Sequence, residues 1–440
     1  VTVSPEYLGL VMLGALLTGI FVGFPIAFTL IILAFVFGLI GFGAVVFDLA
    51  FFQTIGLMKE ETLAAVPLFI FMGHVLEHAG LMERLFRAFQ YLLARMPGSL
   101  YVGVLFTATL FATATGIIGA SVTVMGLMAA PVMMKSGYDP RMSAGVITAG
   151  GCLGILIPPS VLLVVMGPVI GASIVELFAG AIIPGLILSG LYLGYSVVRS
   201  LWNPALGPPL PPEERAASYG QVVRELATGV IPMAFIIFAA LGSILFGLAT
   251  PTEAAAMGAS GALLLTLLYR RLTFSVLREA AFKTLQTSSL VVFLAVTSNI
   301  FGSVFTRLGT GTMMAESILA IPVPPLVMLA LLMGVIFLLG WPLEWPAIVL
   351  IFLPIFLPVV DALAINKVWF GVLVAVNLQT AFLSPPVAMA AYYLKAVAPG
   401  WDLMQIYRGM FNFMVLQVIG LAIVFFFPQT VLWLPGLLYK

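Results

Sequence analysis

"GGCLGILIPPSVLLVVMG", residues 150–167, is apolar enough to lie in a membrane, yet Pro158 and Pro159 stand side by side in its middle. Neither proline can donate a helix hydrogen bond, and each ring crowds the carbonyl four residues earlier. A bilayer core offers no water to unpaired backbone groups, so irregular backbone survives there only against protein or a water-filled cavity. The stretch therefore predicts a helix broken inside a protein-lined space. "VNLQTAFLSPPV" (376–387) repeats the device with Pro385 and Pro386.

The surrounding composition makes this a membrane chain. Of its 440 residues 62% are hydrophobic and 8% charged, its mean hydropathy is +1.20, and soluble domains carry about 25% charged residues. Continuous apolar runs, many near the roughly 20 residues that span a hydrocarbon core as helix, exclude the alternating pattern of a transmembrane β-barrel. An all-α polytopic protein is expected. Candidate spans fall near 7–24, 26–46, 62–80, 99–117, 118–134, 143–170, 177–198, 229–248, 253–269, 286–305, 325–340, 346–363, 369–393 and 410–434. The first has no basic region before it and no cleavage motif after it, and is expected to be retained. A net charge of +1 with no basic run argues against nucleic acid as a partner. Cys152 is the single cysteine, so neither an internal disulfide nor a cysteine metal site is possible.

The polar, proline-rich segment 199–228 divides the chain into two halves. Pro97, Pro131, Pro158 and Pro159 recur 227 positions later as Pro324, Pro358, Pro385 and Pro386, and Pro25 meets Pro251 at a shift of 226. The breaks thus keep their order, which points to a duplication. The first repeat covers 1–198, with an interfacial arm at 81–98, a hairpin at about 105–135 and a broken helix at 143–170. The second covers 229–440, with an arm at 269–286, a hairpin at about 326–363 and a broken helix at 369–393. Both arms are amphipathic and basic, and suit helices lying along the interface or positively charged loops. Arg199, Arg215 and Arg224 place the linker on the cytoplasmic side.

Repeated halves with matching broken helices are a sequence-level pointer to a secondary transporter's binding site. "FATATGIIGASVTVMG" (111–126) and "FLLGWPLEWPAIVLI" (337–351) read as re-entrant hairpin tips, each followed by a Pro-Pro helix. Carbonyls around Gly154, Ile155, Ala381 and Phe382 lose helical partners, and hard cations such as Na⁺ take oxygen ligands. The half-helix after each break presents free amides to an anion. Ser121, Thr148 and Ser160 gather near the first break, and Asn377, Gln379, Thr380 and Ser384 near the second. Helix-to-helix hydrogen bonding is their alternative role. Glu344 reads as an intramembrane carboxylate, functional by default, or as a tip exposed to a vestibule. Thr250, Pro251 and Glu253 form a helix-start signature.

"HVLEH", His74 to His78, matches the H-x-x-E-H pattern of inverted zinc peptidases, with His74 and His78 as ligands and Glu77 as base. An interfacial helix end is the simpler reading. No Walker-type loop appears, so neither an ATPase nor any other cofactor-bearing enzyme is expected.

"GYDPRMSAGVITAGGCLGILIPPSVLLVVMG" (137–167), "LFAGAIIPGLIL" (177–188), "GLATPTEAAA" (247–256), "PAIVLIFLPIFLPV" (346–359) and "FGVLVAVNLQTAFLSPPVAM" (370–389) closely resemble the large membrane subunit of tripartite ATP-independent periplasmic (TRAP) transporters. The resemblance covers nearly the whole chain. It implies a multi-pass protein of a bacterial or archaeal inner membrane, with two inverted repeats and an elevator-type scaffold and transport domain. It further implies a small four-helix membrane subunit and a periplasmic substrate-binding protein as partners, and Na⁺-coupled import of a carboxylate such as a C4-dicarboxylate or 2-oxo acid. Carried over by position, one Na⁺ site would involve Gly116, Gly119, Ala120, Ser121, Gly151, Gly154 and Pro158. The other would involve Gly340, Trp341, Glu344, Asn377, Thr380 and Pro385, with substrate near Ser121, Ser160 and Asn377. The "GWPLEWPA" tip departs from the family pattern. A self-sufficient anion symporter of similar architecture is the rival transporter reading.

Overall fold

The computed structural model describes residues 5–116, 118–215 and 218–439, and among these every regular element is helical. The first half runs α1 (Pro5–Val22), α2 (Ile26–Phe42), α3 (Val45–Met58), α4 (Ala65–His78), α5 (Leu81–Leu93), α6 (Ser99–Thr115), α7 (Ile118–Lys135), α8 (Pro140–Cys152), α9 (Val161–Ile170) and α10 (Ile174–Trp202). The second runs α11 (Tyr219–Leu245), α12 (Pro251–Leu268), α13 (Phe274–Arg307), α14 (Thr310–Leu319), α15 (Pro325–Leu339), α16 (Trp345–Ala362), α17 (Lys367–Leu383), α18 (Met389–Val397), α19 (Leu403–Phe426) and α20 (Gln429–Leu438). Eight of these are long and apolar enough to cross a membrane. Large apolar side chains such as Phe28, Ile32, Phe235 and Leu264 point outward, while Asn377, Gln379 and Gln417 are buried. That inversion of the soluble pattern follows from a hydrocarbon solvent.

Several boundaries differ from those expected. The linker is shorter than 199–228, because α10 continues to Trp202 and Ser218 caps α11 through its hydroxyl. The segment 269–286 is not a separate arm. From Phe274 it is the first third of α13, which buries Ala280, Thr284 and Ser288 at a spacing of four. The short helix preceding the second hairpin, in the place α5 holds before the first, is α14. The expected span 410–434 divides into α19 and α20. The helix-start signature closes as a capping box: Thr250 accepts from the Glu253 amide, and the Glu253 carboxylate accepts from the Thr250 amide at 2.8 Å.

The helices recur in order between the halves. Pro140 and Lys367, which open α8 and α17, stand 227 residues apart. Packing between the halves is reciprocal: α4 lies on α12 and α2 on α13, α8 on α19 and α10 on α17, α5 on α11 and α1 on α14, α7 on α18 and α9 on α16. The starts of α8 and α17 lie at opposite ends of the molecule. The linker docks at one end, where Asp139 just before α8 donates its amide to Leu206 O and Leu210 donates to Ala94 O beyond α5. At the other end Lys367 of α17 lies beside Gly171, and Gly171, Ser173 and Glu60 line one crevice. Thr310 opens α14 with its hydroxyl donating to Glu6 O at the start of α1.

Candidate functional site

Each hairpin tip rests on a Pro-Pro break. In the first half α6 and α7 pack together and turn at Gly116, which needs its left-handed φ of +63°. A Cβ on Gly116 would lie 3.6 Å from Pro159 O and from Val161 N. Deeper in, a Cβ on Gly151 would meet Val122 Cγ2 at 2.4 Å and Val122 N at 3.0 Å, so α7 and α8 approach where only glycine fits. Gly119 faces the Tyr393 ring of α18 at 3.3 Å on the same measure. Ser121 is fully buried, Gly119 and Ala120 half-buried.

The first break is closed by its own chain. After Cys152 a 3₁₀ turn holds Leu153, Gly154 and Ile155, and Leu156 and Ile157 both donate to Leu153 O at 3.1 Å. The Ser160 hydroxyl donates to Ile155 O, and its oxygen accepts weakly from Leu163 N at 3.5 Å to cap α9. The Ile155 carbonyl expected to be free is therefore taken. Ser160 is a capping residue inside a stretch, 151–160, that is buried throughout, including Pro158. Thr148 bonds back to Ala144 O at 2.7 Å within α8, which uses its hydroxyl hydrogen.

The second break is more open. α17 ends at Leu383, Ser384 is extended, and Pro385 and Pro386 are exposed. Both Pro-Pro bonds are cis. Trp341 ties the second tip to this break by donating Nε1–H to Ser384 Oγ at 3.1 Å. A Cβ on Gly340 would lie 2.7 Å from Ala381 Cβ, so this tip also sits directly on its broken helix. Between them a cavity of about 220 Å³ is lined by Trp341, Glu344, Trp345, Ala381, Phe382 and others. Of the two readings of Glu344, the structure agrees with the exposed tip and not with a buried carboxylate. Glu344 is exposed at the tip, because its position before α16 turns the side chain outward while its carbonyl starts that helix by accepting from Ala347 at 3.1 Å.

Asn377 and Thr380 lie inward of this cavity. Asn377 Nδ2 donates to Met333 O at 2.7 Å, pinning α17 to the first arm of the second hairpin. Its Oδ1 is buried and has no hydrogen-bond partner among the described residues. Thr380 donates to Asn377 O at 2.5 Å. A buried acceptor without a donor carries a desolvation penalty of roughly 1–3 kcal/mol, so Asn377 Oδ1 is the group at this break most in need of a ligand. The structure thus groups Gly340, Trp341, Thr380 and Asn377 on one break and Gly116, Gly151, Gly154, Pro158 and Ser160 on the other. Ser160, at the first break, and Asn377, at the second, are both buried.

A buried network joins the two breaks. Gln379 Nε2 donates to Cys152 O at 3.0 Å, across positions 227 residues apart. Gln417 Nε2 donates to Gln379 Oε1 at 2.8 Å and to Val376 O at 2.9 Å, and Tyr192 OH donates to Gln417 Oε1. Sequence reading named Gln379 but missed Tyr192 and Gln417. The available signal was a lone amide in the apolar run "MVLQVIG" of α19.

"HVLEH" belongs to a different arrangement. His74 Nδ1 lies 3.4 Å from Glu77, while Lys283 of α13 lies 4.0 Å from Glu77 and 2.9 Å from Glu279. Its carboxylate faces a lysine and a histidine of a packed helix pair.

Two helical hairpins laid on two interrupted helices, within a bundle of spanning helices, define a membrane transporter. The chain belongs to the family described as the DctM component of tripartite ATP-independent periplasmic transporters, whose model matches residues 12–430. It is similar to the sialic acid TRAP transporter large permease protein SiaM of Vibrio cholerae, at 32% identity over 95% of this chain and 96% of that one. It also resembles the 2,3-diketo-L-gulonate large permease YiaN of Escherichia coli, at 28% identity over 97% and 98% of the two chains. The C4-dicarboxylate large permease DctM of Rhodobacter capsulatus is 28% identical over 98% and 99%. Among solved structures, the Alcanivorax borkumensis YdaH transporter superposes with a TM-score of 0.63 at 15% identity, covering 96% of this chain and 98% of that one. Neisseria gonorrhoeae MtrF gives 0.58 at 13% identity over 86% and 83%. These two likenesses concern the fold. The relatives are transporter permeases, so the chain is not an enzyme and the zinc hydrolase reading at His74, Glu77 and His78 falls.

Proposed function

We propose that this chain imports a small carboxylate across a bacterial inner membrane by Na⁺ symport, receiving it from a periplasmic binding protein and working beside a small membrane subunit. The carrying observation is that each hairpin tip lies on a Pro-Pro break, Gly116 on Pro159 and Gly340 on Ala381. It supports two proposed ion sites, whose residues are assigned by family resemblance. One is built from Gly116, Gly119, Ala120, Ser121, Gly151, Gly154 and Pro158; the other from Gly340, Trp341, Glu344, Asn377, Thr380 and Pro385. Substrate would bind between the tips. Tripartite relatives for sialic acid, diketogulonate and C4-dicarboxylate support an organic acid as cargo.

The reading includes two inverted repeats moving as a scaffold and an elevator-type transport domain. Its support is the reciprocal packing of corresponding helices and the opposite starting ends of α8 and α17, as two-fold related copies require. The linker end carries Lys135, Arg141, Arg199, Arg215 and Arg408, against Lys59, Arg307 and Lys367 at the other end, and this excess of basic residues favours a cytoplasmic linker.

Purified chain, reconstituted with its small subunit and supplied with a loaded binding protein, is expected to accumulate substrate in Na⁺ and to stop when choline replaces it. Uptake indifferent to the cation would sink the coupling proposal. Uptake of free substrate at full rate without the binding protein would favour the self-sufficient symporter. Glu344→Gln is expected to leave thermal unfolding unchanged, because among the described residues the exposed carboxylate makes no side-chain hydrogen bond or ion pair. Uptake by this variant is expected to fall, and a normal Na⁺-dependent rate would remove Glu344 from the ion site.

A further inference from the structure

We propose that the linker end holds a binding site for a phosphate anion, carried by an acidic phospholipid headgroup. A cavity of about 370 Å³ opens where the start of α8, the end of α10 and the first turns of α19 meet. Arg141, Arg199 and Arg408 line it, one from each helix, with Asn412 as a further donor. Asp139 is the one acid in the lining, and its Oδ1 is already engaged by the Met142 amide at 2.8 Å. Among the described residues none of the three arginines has an ion-pair partner, although Glu77, Glu83, Glu279 and Asp361 elsewhere are paired. Three guanidinium groups against one engaged carboxylate leave an unneutralised positive site.

The convergence is built into the backbone. A Cβ on Gly409 would lie 1.9 Å from Arg141 O, so α8 and α19 touch main chain to main chain and hold Arg141 beside Arg408. Tyr195 and Phe413, whose rings stand edge to face at 5.4 Å, line the cavity together with Met142 and Leu206. The site therefore combines a guanidinium rim with an aromatic and aliphatic wall at helix termini, the depth at which headgroups meet acyl chains. Guanidinium forks bind phosphate oxygens in pairs, and basic pockets between helices on the cytoplasmic side take anionic headgroups.

The test uses the full chain in mild detergent, read by native mass spectrometry and by thermal unfolding with phosphatidylglycerol, phosphatidylcholine or inorganic phosphate added. Retained phosphatidylglycerol and a raised unfolding midpoint are expected, with little response to phosphatidylcholine. In the Arg199→Gln/Arg408→Gln double variant, affinity is expected to fall about tenfold for each arginine removed. The single Arg199→Gln variant, altered only at an exposed helix end, gives the same reading should the double variant fold poorly. Equal stabilisation by inorganic phosphate would assign the site to a soluble phosphate instead of a lipid. Phosphatidylglycerol binding unchanged in the variants, or no response to either phosphate source, would overturn the proposal. Neither result bears on Na⁺ coupling, so this test and the uptake test fail separately.

Discussion

Gln379→Leu is expected to destabilise the protein by roughly 1–4 kcal/mol and to abolish uptake. The wild-type amide gives a hydrogen to Cys152 O and accepts one from Gln417, so leucine removes both bonds from a buried site. Each buried polar group left without a partner costs about 1–3 kcal/mol in proteins generally. Interhelical bonds in membranes average only about 0.6 kcal/mol, because the unfolded helices also find partners, which sets the lower bound. The Cys152 carbonyl at the end of α8 would also lose its link to α17, so the two breaks would no longer be held together. Thermal unfolding in detergent reads the stability change, and the Gln379→Leu/Gln417→Leu pair is expected to cost less than the two single changes added together. A single variant as stable as wild type would show that this network contributes little.

Much of the architecture was legible because membrane solvation writes it into composition. Continuous apolar runs could only be helices, and the Pro-Pro pairs at 158–159 and 385–386 could only be breaks. Helix α13 was misread for a physical reason. Arg278 and Lys283 made its first turns look interfacial, whereas Ala280, Thr284 and Ser288 form a small-residue stripe that packs as spanning helices do. At the second tip sequence left two readings of Glu344 open, a buried carboxylate or an exposed tip, and could not choose between them, because the direction of a side chain at a turn depends on tertiary packing. The bridge from Gln379 to Cys152 was illegible for the same reason, since a residue's partner 227 positions away leaves no local pattern.

Asn377→Leu is expected to weaken Na⁺ dependence at least about tenfold, the factor that corresponds to roughly 1.4 kcal/mol. Asn377 has 1% exposure, and among the described residues its Oδ1 has no hydrogen-bond donor, although Nδ2 is satisfied by Met333 O. Under the two-site proposal, Na⁺ would supply what that oxygen lacks, as hard cations favour oxygen ligands. Binding that favours the native state raises the unfolding midpoint in proportion to RT ln(1 + [L]/Kd). NaCl, compared with choline chloride, is therefore expected to stabilise the wild type and to do so far less in the leucine variant. Asn377→Asp, which keeps an acceptor oxygen at this position, is expected to retain the Na⁺ response. Loss of the Met333 bond alone would lower stability in both salts equally, which separates the structural role of Nδ2 from the ligand role of Oδ1. A leucine variant with the wild-type difference between the two salts would remove Asn377 from the ion site and leave the second break to its backbone carbonyls.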